Sequence, residues 1–302
     1  PGGDVTVIGM MNDESIEATS TTIGPDVTPK TANDVTKVDW TNAKESNYTH
    51  EADSLGTLEI YKQDAADFSA SVCIDGWTYD GKFDAAGTLK SSAGTEALGA
   101  KVEYSYYDAS GNKLGSEPVD AGTYKVVASW AGTANYPELS AEATFTIAKR
   151  PVTVTANPTS KTYGDVDPEA SSLTASVEGL LGSDSVSYTM SLANHAEKAG
   201  TYNGTVVASG DAEQGNYKVE YIPATFTIDK AKYHFVTDSQ RVPYNGKQLT
   251  GAAEVKGLVK GETATATATT IGPDVTPETA NDVTKVDWTN AKESNYTHEA
   301  DS

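Results

Sequence analysis

Runs of alternating apolar and polar residues dominate the chain and predict β-strands. The clearest are VTVTA at 152–156, KVVASW at 125–130 and YKVEYI at 217–222. Alternation with a period of two presents one face of a strand to a core and the other to water. Helical periodicity is weak, since the alanine-rich segment 64–72 lacks a sustained apolar stripe at helical spacing. The pattern therefore predicts an all-β chain.

One strand pattern recurs at domain-sized intervals. Its three copies align without gaps and each ends in lysine: GTLEIYK at 56–62, ATFTIAK at 143–149 and ATFTIDK at 224–230. An Asn-Tyr pair recurs shortly before each of these strands, or before the place where one is due. The four pairs begin at Asn47, Asn135, Asn216 and Asn295. Repetition of one supersecondary unit at a fixed period indicates a tandem array.

The two ends of the chain are copies of one segment. Residues 22–54 return as residues 270–302 with one change, Lys30 to Glu278. The same shift also aligns Glu14 with Glu262. The first and last repeats are therefore expected to be the same module, one long period apart.

These repeats predict four modules, at residues 1–62, 63–149, 150–230 and 231–302. The fold class expected is an elongated tandem array of small Ig-like sandwich or β-grasp-like modules. The first module is expected to lack its opening strands and the last its closing strand. Unpaired edges of that kind invite pairing with a neighbouring molecule or leave a module less ordered. Linkers such as AKRP at 148–151 are too short for free swivelling.

Composition narrows the classes of partner. The formal net charge is -21, which repels phosphate backbones and anionic membrane surfaces and so excludes nucleic acid. No apolar stretch approaches the roughly 18 residues that a membrane-spanning helix needs. The single cysteine, Cys73, forbids internal disulfides, and alternation in SASVCID predicts that its thiol is buried.

Three segments together resemble a known family. KRPVTVTANPTSKTYGDVDPEASSLTASVEGL at 149–180, KAGTYNGTV at 198–206 and NYKVEYIPATFTIDKA at 216–231 resemble the MBG domain of the YGX type. Residues 64–149 are similar to the related YDG/MBG repeats. The resemblance implies an all-β module that occurs in tandem in large secreted and wall-attached bacterial proteins, often adhesins. It implies an extracellular location and no catalytic residues.

The function expected is structural. A non-catalytic stalk would hold a distal binding region away from a bacterial cell, with neighbouring repeats of the same chain as its partners. The alternative is a module that binds a host glycan or surface protein through exposed aromatic rings. Its candidates are Tyr104, Tyr106, Tyr107 and Trp77, because tyrosine and tryptophan combine a large apolar face with a polar tip.

Candidate metal ligands are few. Calcium is the only cofactor considered, with Asp165, Asp167 and Glu169 as ligands, because carboxylates two residues apart in a loop can face a hard cation. The competing interpretation makes them ordinary turn residues that bond their own backbone. His195 and His234 are interpreted as solvated surface rings without an acidic residue at ligand spacing, so no transition-metal site is expected. The chain also lacks a GxSxG nucleophile motif, which favours a protein that is not an enzyme.

Overall fold

The chain folds as two compact units, Pro1–Ala148 and Lys149–Ser302. The structure, a computed structural model, describes residues 2–11, 13–40, 42–84, 87–92 and 101–299. The predicted all-β fold is confirmed, with many small sheets. Within the described ranges, helical structure is limited to short 3-10 helices. Among the described residues no helix is long and apolar enough to cross a bilayer.

The first unit contains ten strands and two 3-10 helices among its described residues. The strands are β1 (Glu17–Ser20), β2 (Thr28–Ala32), β3 (Val35–Asp39), β4 (Thr57–Ile60), β5 (Ala70–Cys73), β6 (Trp77–Thr78), β7 (Thr88–Ser91), β8 (Val102–Tyr107), β9 (Gly122–Trp130) and β10 (Leu139–Ala148). The 3-10 helices are Glu45–Asn47 and Ala65–Asp67.

The core of this unit lies between a four-stranded sheet and a hairpin-like pair. The sheet has the order β6-β10-β9-β8, and β5 pairs with β7. Val126 on β9, Phe145 and Ile147 on β10, and Val72 on β5 belong to one buried cluster. The strands 125–130 and 143–149 predicted from alternation are confirmed, since β9 and β10 bury every second residue here. Two further antiparallel pairs, β1-β3 and β2-β4, lie before this sandwich in the chain.

One side-chain orientation predicted for this unit is wrong. Cys73 is exposed, whereas its neighbour Val72 is buried. Alternation fixes only that the two residues face opposite sides of β5. Packing of β5 against β10 decides which side is the core.

The second unit contains fifteen strands and two 3-10 helices among its described residues. The strands are β11 (Arg150–Ala156), β12 (Thr159–Thr162), β13 (Ala175–Glu178), β14 (Thr189–Leu192), β15 (Gly200–Ser209), β16 (Glu213–Gln214), β17 (Tyr217–Ile222), β18 (Ala224–Asp229), β19 (Ala231–Thr237), β20 (Leu249–Thr250), β21 (Ala253–Lys256), β22 (Ala264–Ala268), β23 (Thr270–Ile271), β24 (Val283–Trp288) and β25 (Tyr296–His298). The 3-10 helices are Ala170–Ser172 and Glu293–Asn295.

Residues 150–230 form a sandwich of two four-stranded sheets. Their orders are β13-β11-β17-β16 and β12-β18-β15-β14. The chain crosses from the first sheet to the second three times, between β11 and β12, between β13 and β14, and between β17 and β18. Ala156 of the first sheet shares a buried cluster with Val206, Phe226 and Ile228 of the second. Burial of the apolar positions of both sheets against each other supplies the main stabilisation of this module.

Residues 231–299 repeat part of this arrangement. Strand β19 pairs in parallel with β25 and antiparallel with β21, as β11 pairs with β17 and β13. The antiparallel pair β22-β24 corresponds to β14-β15. The buried cluster here comprises Ala231, Tyr233, Ala291 and Tyr296. The four module boundaries stay a prediction.

Candidate functional site

The first residue of β17 is the tyrosine of an Asn-Tyr pair, and its side chain bonds a turn that lies earlier in the chain. The Tyr217 ring is buried, and its hydroxyl accepts a hydrogen bond from the Leu181 amide at 3.2 Å and donates one to Asp184 Oδ2 at 2.5 Å. The turn begins at Gly179, whose φ of 99° lies in the left-handed region. A Cβ on Gly179 would stand 2.5 Å from the Pro151 carbonyl oxygen, so only glycine fits. We call this arrangement the tyrosine clasp.

The tyrosine clasp occurs three times among the described residues. The other two join Tyr296 to Glu262 and to the Val259 amide (2.9 Å), and Tyr48 to Glu14 (2.5 Å) and to the Met11 amide (3.3 Å). Both copies begin at a glycine with positive φ, Gly257 and Gly9. Each clasp fixes a tyrosine and therefore the asparagine that precedes it.

The carboxylate partners shift the tyrosine pKa values. Burial, together with the hydrogen bond to Glu262, raises the pKa of Tyr296. The hydrogen bond to Glu14 raises the pKa of Tyr48. In both cases a nearby negative charge disfavours the phenolate, so the clasp holds its tyrosine neutral.

Tyr163 connects two hydrophobic cores of the second unit. It packs against the cluster of residues 150–230 and against the cluster of residues 231–299. Its ring meets Tyr296 edge to face, with centroids 5.5 Å apart, and its hydroxyl donates to Glu262 Oε1 at 2.6 Å. Gly164 follows with φ of 91°, and a Cβ there would lie 2.4 Å from Val259 Cγ2. Glu262 and Tyr296 therefore bond each other in a tyrosine clasp, and both also contact Tyr163.

A buried asparagine completes this contact. Asn295 is 3% exposed, and its Oδ1 accepts a hydrogen bond from the Ala199 amide at 3.0 Å. We define the joint as Tyr163, Gly164 and Ala199 on one side and Val259, Glu262, Asn295 and Tyr296 on the other. Both sides lie within the second unit.

The asparagine of an Asn-Tyr pair plays a similar role in the first unit. Asn135 Oδ1 accepts a hydrogen bond from the Val27 amide at 2.7 Å, and its Nδ2 donates to Asp26 Oδ1 at 2.7 Å. In each unit an Asn-Tyr asparagine therefore bonds a backbone amide far earlier in the chain.

A cluster of four charged or titratable groups lies beside the joint. The Lys161 side chain is 4% exposed, and its Nζ contacts Asp167 Oδ1 at 2.7 Å and Glu197 Oε2 at 2.5 Å. The His195 side chain is 6% exposed, and its Nε2 lies 3.4 Å from Asp167 Oδ1 and 3.3 Å from Glu197 Oε1. We call these four residues the lysine cluster.

Pairing outweighs burial in the lysine cluster. Burial alone would lower the pKa of Lys161, but its hydrogen bonds to Asp167 and Glu197 reverse this and raise the pKa. The hydrogen bond from Lys161 lowers the pKa of Asp167. Lysine and aspartate are therefore held as an ion pair, although isolated burial would favour their neutral forms.

A comparison with known families identifies part of the chain. Residues 152–227 match the MBG domain (YGX type). The matched range covers nearly all of the first sandwich of the second unit, including Tyr163, Gly164 and the lysine cluster. No curated protein matches the chain. The resemblance noted from the sequence is confirmed for this range. MBG domains are a non-enzymatic repeat family typical of bacterial surface proteins, and the match suggests a surface-protein repeat module at residues 152–227.

Of the three calcium candidates in the MBG domain, one lies in the lysine cluster. Asp167 faces Lys161 and His195, and the group of potential metal ligands that it forms contains His195 and Glu197. Asp165 and Glu169 lie outside that group. The Asp165 amide bonds the Thr162 carbonyl in a turn. Calcium binding by the three carboxylates stays a prediction.

The four aromatic candidates lie on the sandwich of the first unit. Trp77 stacks on Phe145 with centroids 5.6 Å apart, and Tyr106 is buried in the same cluster. Tyr104 packs against that cluster, and its hydroxyl accepts a hydrogen bond from the Leu89 amide. Tyr107 differs, since its ring lies 5.4 Å from Lys125 Nζ. Three of the four therefore contribute to packing.

Sequence reasoning missed most of the lysine cluster. The expectation that His195 is a solvated ring is wrong, because its side chain is nearly inaccessible and contacts Phe226 and Tyr202. An acidic residue, Glu197, also lies two positions later. The spacing His-x-Glu was visible in the sequence, whereas the approach of Lys161 and Asp167 depends on the pairing of β12 with β18.

Proposed function

We propose that this chain is a stalk segment of a bacterial cell-surface adhesin, in which packed joints hold consecutive modules in a fixed relation. The observation that supports this proposal is the joint of the second unit. A stalk has to keep its modules from swivelling, and contacts at the joint restrict that motion. Strung in series, such modules convert their number into reach.

The contacts of the joint resist rotation for a physical reason. Tyr163 fills space between two apolar clusters, so turning one module against the other would expose its ring and the clusters themselves. A rotation that keeps the two modules in contact would also strip the still-buried Asn295 oxygen of the Ala199 amide. A buried polar group that loses its partner costs about 1–3 kcal/mol.

Repeated parts build the joint. The tyrosine clasp fixes the position of Asn295, and the Asn-Tyr pair that contains Asn135 presents its asparagine to Val27 in the first unit. Recurrence of one contact type is expected of a length-setting repeat, whereas a catalytic site gains nothing from it. The proposed location is the outside of a bacterial cell wall, which accords with the family of the matched range.

Spin-label distances test this proposal. In a Cys73→Ser background, Glu220→Cys and Thr265→Cys place labels on exposed strand residues on either side of the joint. We expect a narrow distance distribution, and a clear broadening when Tyr163→Ala and Asn295→Ala are added. The matched control is Tyr244→Ala, which removes a tyrosine that is 69% exposed and lies outside the joint. A distribution that is already broad without the joint substitutions would contradict the stalk.

Binding of a host glycan or surface protein stays a prediction. Tyr107 is the candidate to replace first, because the others contribute to the core of the sandwich. Loss of binding to a mucin or polysaccharide panel in Tyr107→Ala, with the fold intact, would favour a binding module.

A further inference from the structure

The lysine cluster contains a histidine nitrogen that makes no hydrogen bond with the part of the chain that the structure describes. His195 Nδ1 lies 3.0 Å from the Ala193 carbonyl oxygen, which can only accept, so Nδ1 carries a proton. In the neutral ring this leaves the lone pair on Nε2. That atom is buried and makes no hydrogen bond with the described residues.

Two carboxylate oxygens lie close to Nε2. Asp167 Oδ1 and Glu197 Oε1 lie 3.4 and 3.3 Å away. In the neutral ring, Nε2 and these two carboxylate oxygens are all acceptors, so a cation close to all three would relieve their mutual repulsion. The second nitrogen of the ring is fixed by a backbone carbonyl, which is the usual support of a metal-bound histidine.

We propose that His195, Asp167 and Glu197 bind a divalent transition-metal ion, with zinc as the best match. The potential ligand atoms lie within 4.8 Å of one another. Tetrahedral ligands at zinc distances of about 2.0–2.1 Å stand about 3.3–3.4 Å apart, which agrees with the two separations from Nε2. Imidazole favours zinc or copper over calcium, which prefers oxygen ligands alone.

Lys161 and the metal ion use different parts of the carboxylates. Lys161 Nζ bonds Glu197 Oε2, whereas Oε1 faces the histidine. Asp167 Oδ1 contacts both, and a carboxylate oxygen can accept at two positions. Lys161 is thus a positioning residue that holds both carboxylates toward His195. Asp167 and Glu197 are partly exposed, which leaves an entry path for the ion.

Metal binding would join two loops that carry the joint. Asp167 belongs to the loop that follows β12 and contains Tyr163, and His195 and Glu197 belong to the loop that ends at Ala199. Linking these loops restricts the residues that contact the next module. Binding itself is independent of the stalk function, whereas this stiffening rests on it.

Calorimetric titration of the full chain with zinc chloride tests the site. We expect one zinc equivalent that is lost or weakened at least about tenfold in His195→Gln and in Glu197→Gln. The matched control is His50→Gln. His50 also meets a carboxylate, Asp53 at 2.8 Å, but both side chains are exposed, so this variant should bind zinc as the unmodified chain does. Glu197 is exposed, so its variant keeps the test valid if His195→Gln does not fold.

Three results would overturn the proposal. These are absence of zinc binding, equal zinc binding in all variants, and a calcium titration that Glu197→Gln abolishes but His195→Gln leaves unchanged. Hydrogen exchange at the Ala199 amide tests the stiffening of the joint separately from zinc binding. It should slow on zinc addition in the unmodified chain and not in His195→Gln. Zinc binding without that slowing would overturn the stiffening alone.

Discussion

Replacement of Tyr163 by phenylalanine measures what the Tyr163 hydroxyl contributes to the joint. The variant keeps the ring that packs between the two clusters and removes only the hydroxyl that donates to Glu262 Oε1 at 2.6 Å. Hydrogen bonds to charged groups contribute about 1.5–3 kcal/mol. Both side chains are partly exposed, so solvent screening favours the lower end. We expect a loss of about 1.5 kcal/mol in the free energy of unfolding of residues 231–299.

Fluorotryptophan labelling makes this loss measurable. Trp288 is the single tryptophan of the second unit, and it stacks on Tyr296 with centroids 5.7 Å apart. Its fluorine resonance during a urea titration therefore reports unfolding beside the joint. The matched control is Tyr124→Phe, which removes a hydroxyl bonded to the Asp120 carbonyl in the first unit and should leave the Trp288 transition unchanged. Equal Trp288 midpoints in both variants would refute the argument.

Two further predictions follow from the same region. The pKa of Tyr296 is raised by burial and by Glu262, so its contribution to stability is fully present below the unfolded value of about 10 and is lost as the pH rises further. Urea midpoints at Trp288 should therefore fall above about pH 10; constant midpoints up to about pH 11.5 would contradict this. Gly164→Ala adds a Cβ that meets Val259, so it should destabilise the second unit more than the roughly 1 kcal/mol expected from φ alone. Gly246→Ala is the control, since it has positive φ but nothing within 4 Å; equal thermal shifts would show that the joint tolerates the methyl group.

The strands themselves could be predicted from local pattern. The predicted run 217–222 coincides with β17, and VTVTA at 152–156 lies within β11. Alternation of apolar and polar residues predicts these strands because each strand buries one face. Every second residue must then be apolar, and that pattern can be seen within the strand itself. Pattern could not show that β11 pairs in parallel with β17, because the two strands are far apart in the chain. Only closure of the sheet determines that pairing.

The tyrosine clasp was half visible in the sequence. Recurrence of Asn-Tyr was evident, and Glu14 aligned with Glu262. The third acidic partner, Asp184, lies in GLLGSD, whose likeness to GMMNDE and GLVKGE is limited to a glycine, two apolar residues and an acid. The structure explains why the three segments share the glycine and the acidic residue. The glycine permits the turn, and the acidic side chain accepts a hydrogen bond from the tyrosine hydroxyl.

The all-β class, the repeated strand units and the MBG resemblance could be inferred from the residues alone, because these features depend on which residues follow one another in the chain. Tertiary structure decided that Tyr163 lies between two cores and that Lys161, Asp167, His195 and Glu197 meet. The members of each group lie many residues apart, and only sheet closure and module packing bring them within a few ångströms. Contacts of that kind depend on the pairing of distant strands, which local alternation does not specify.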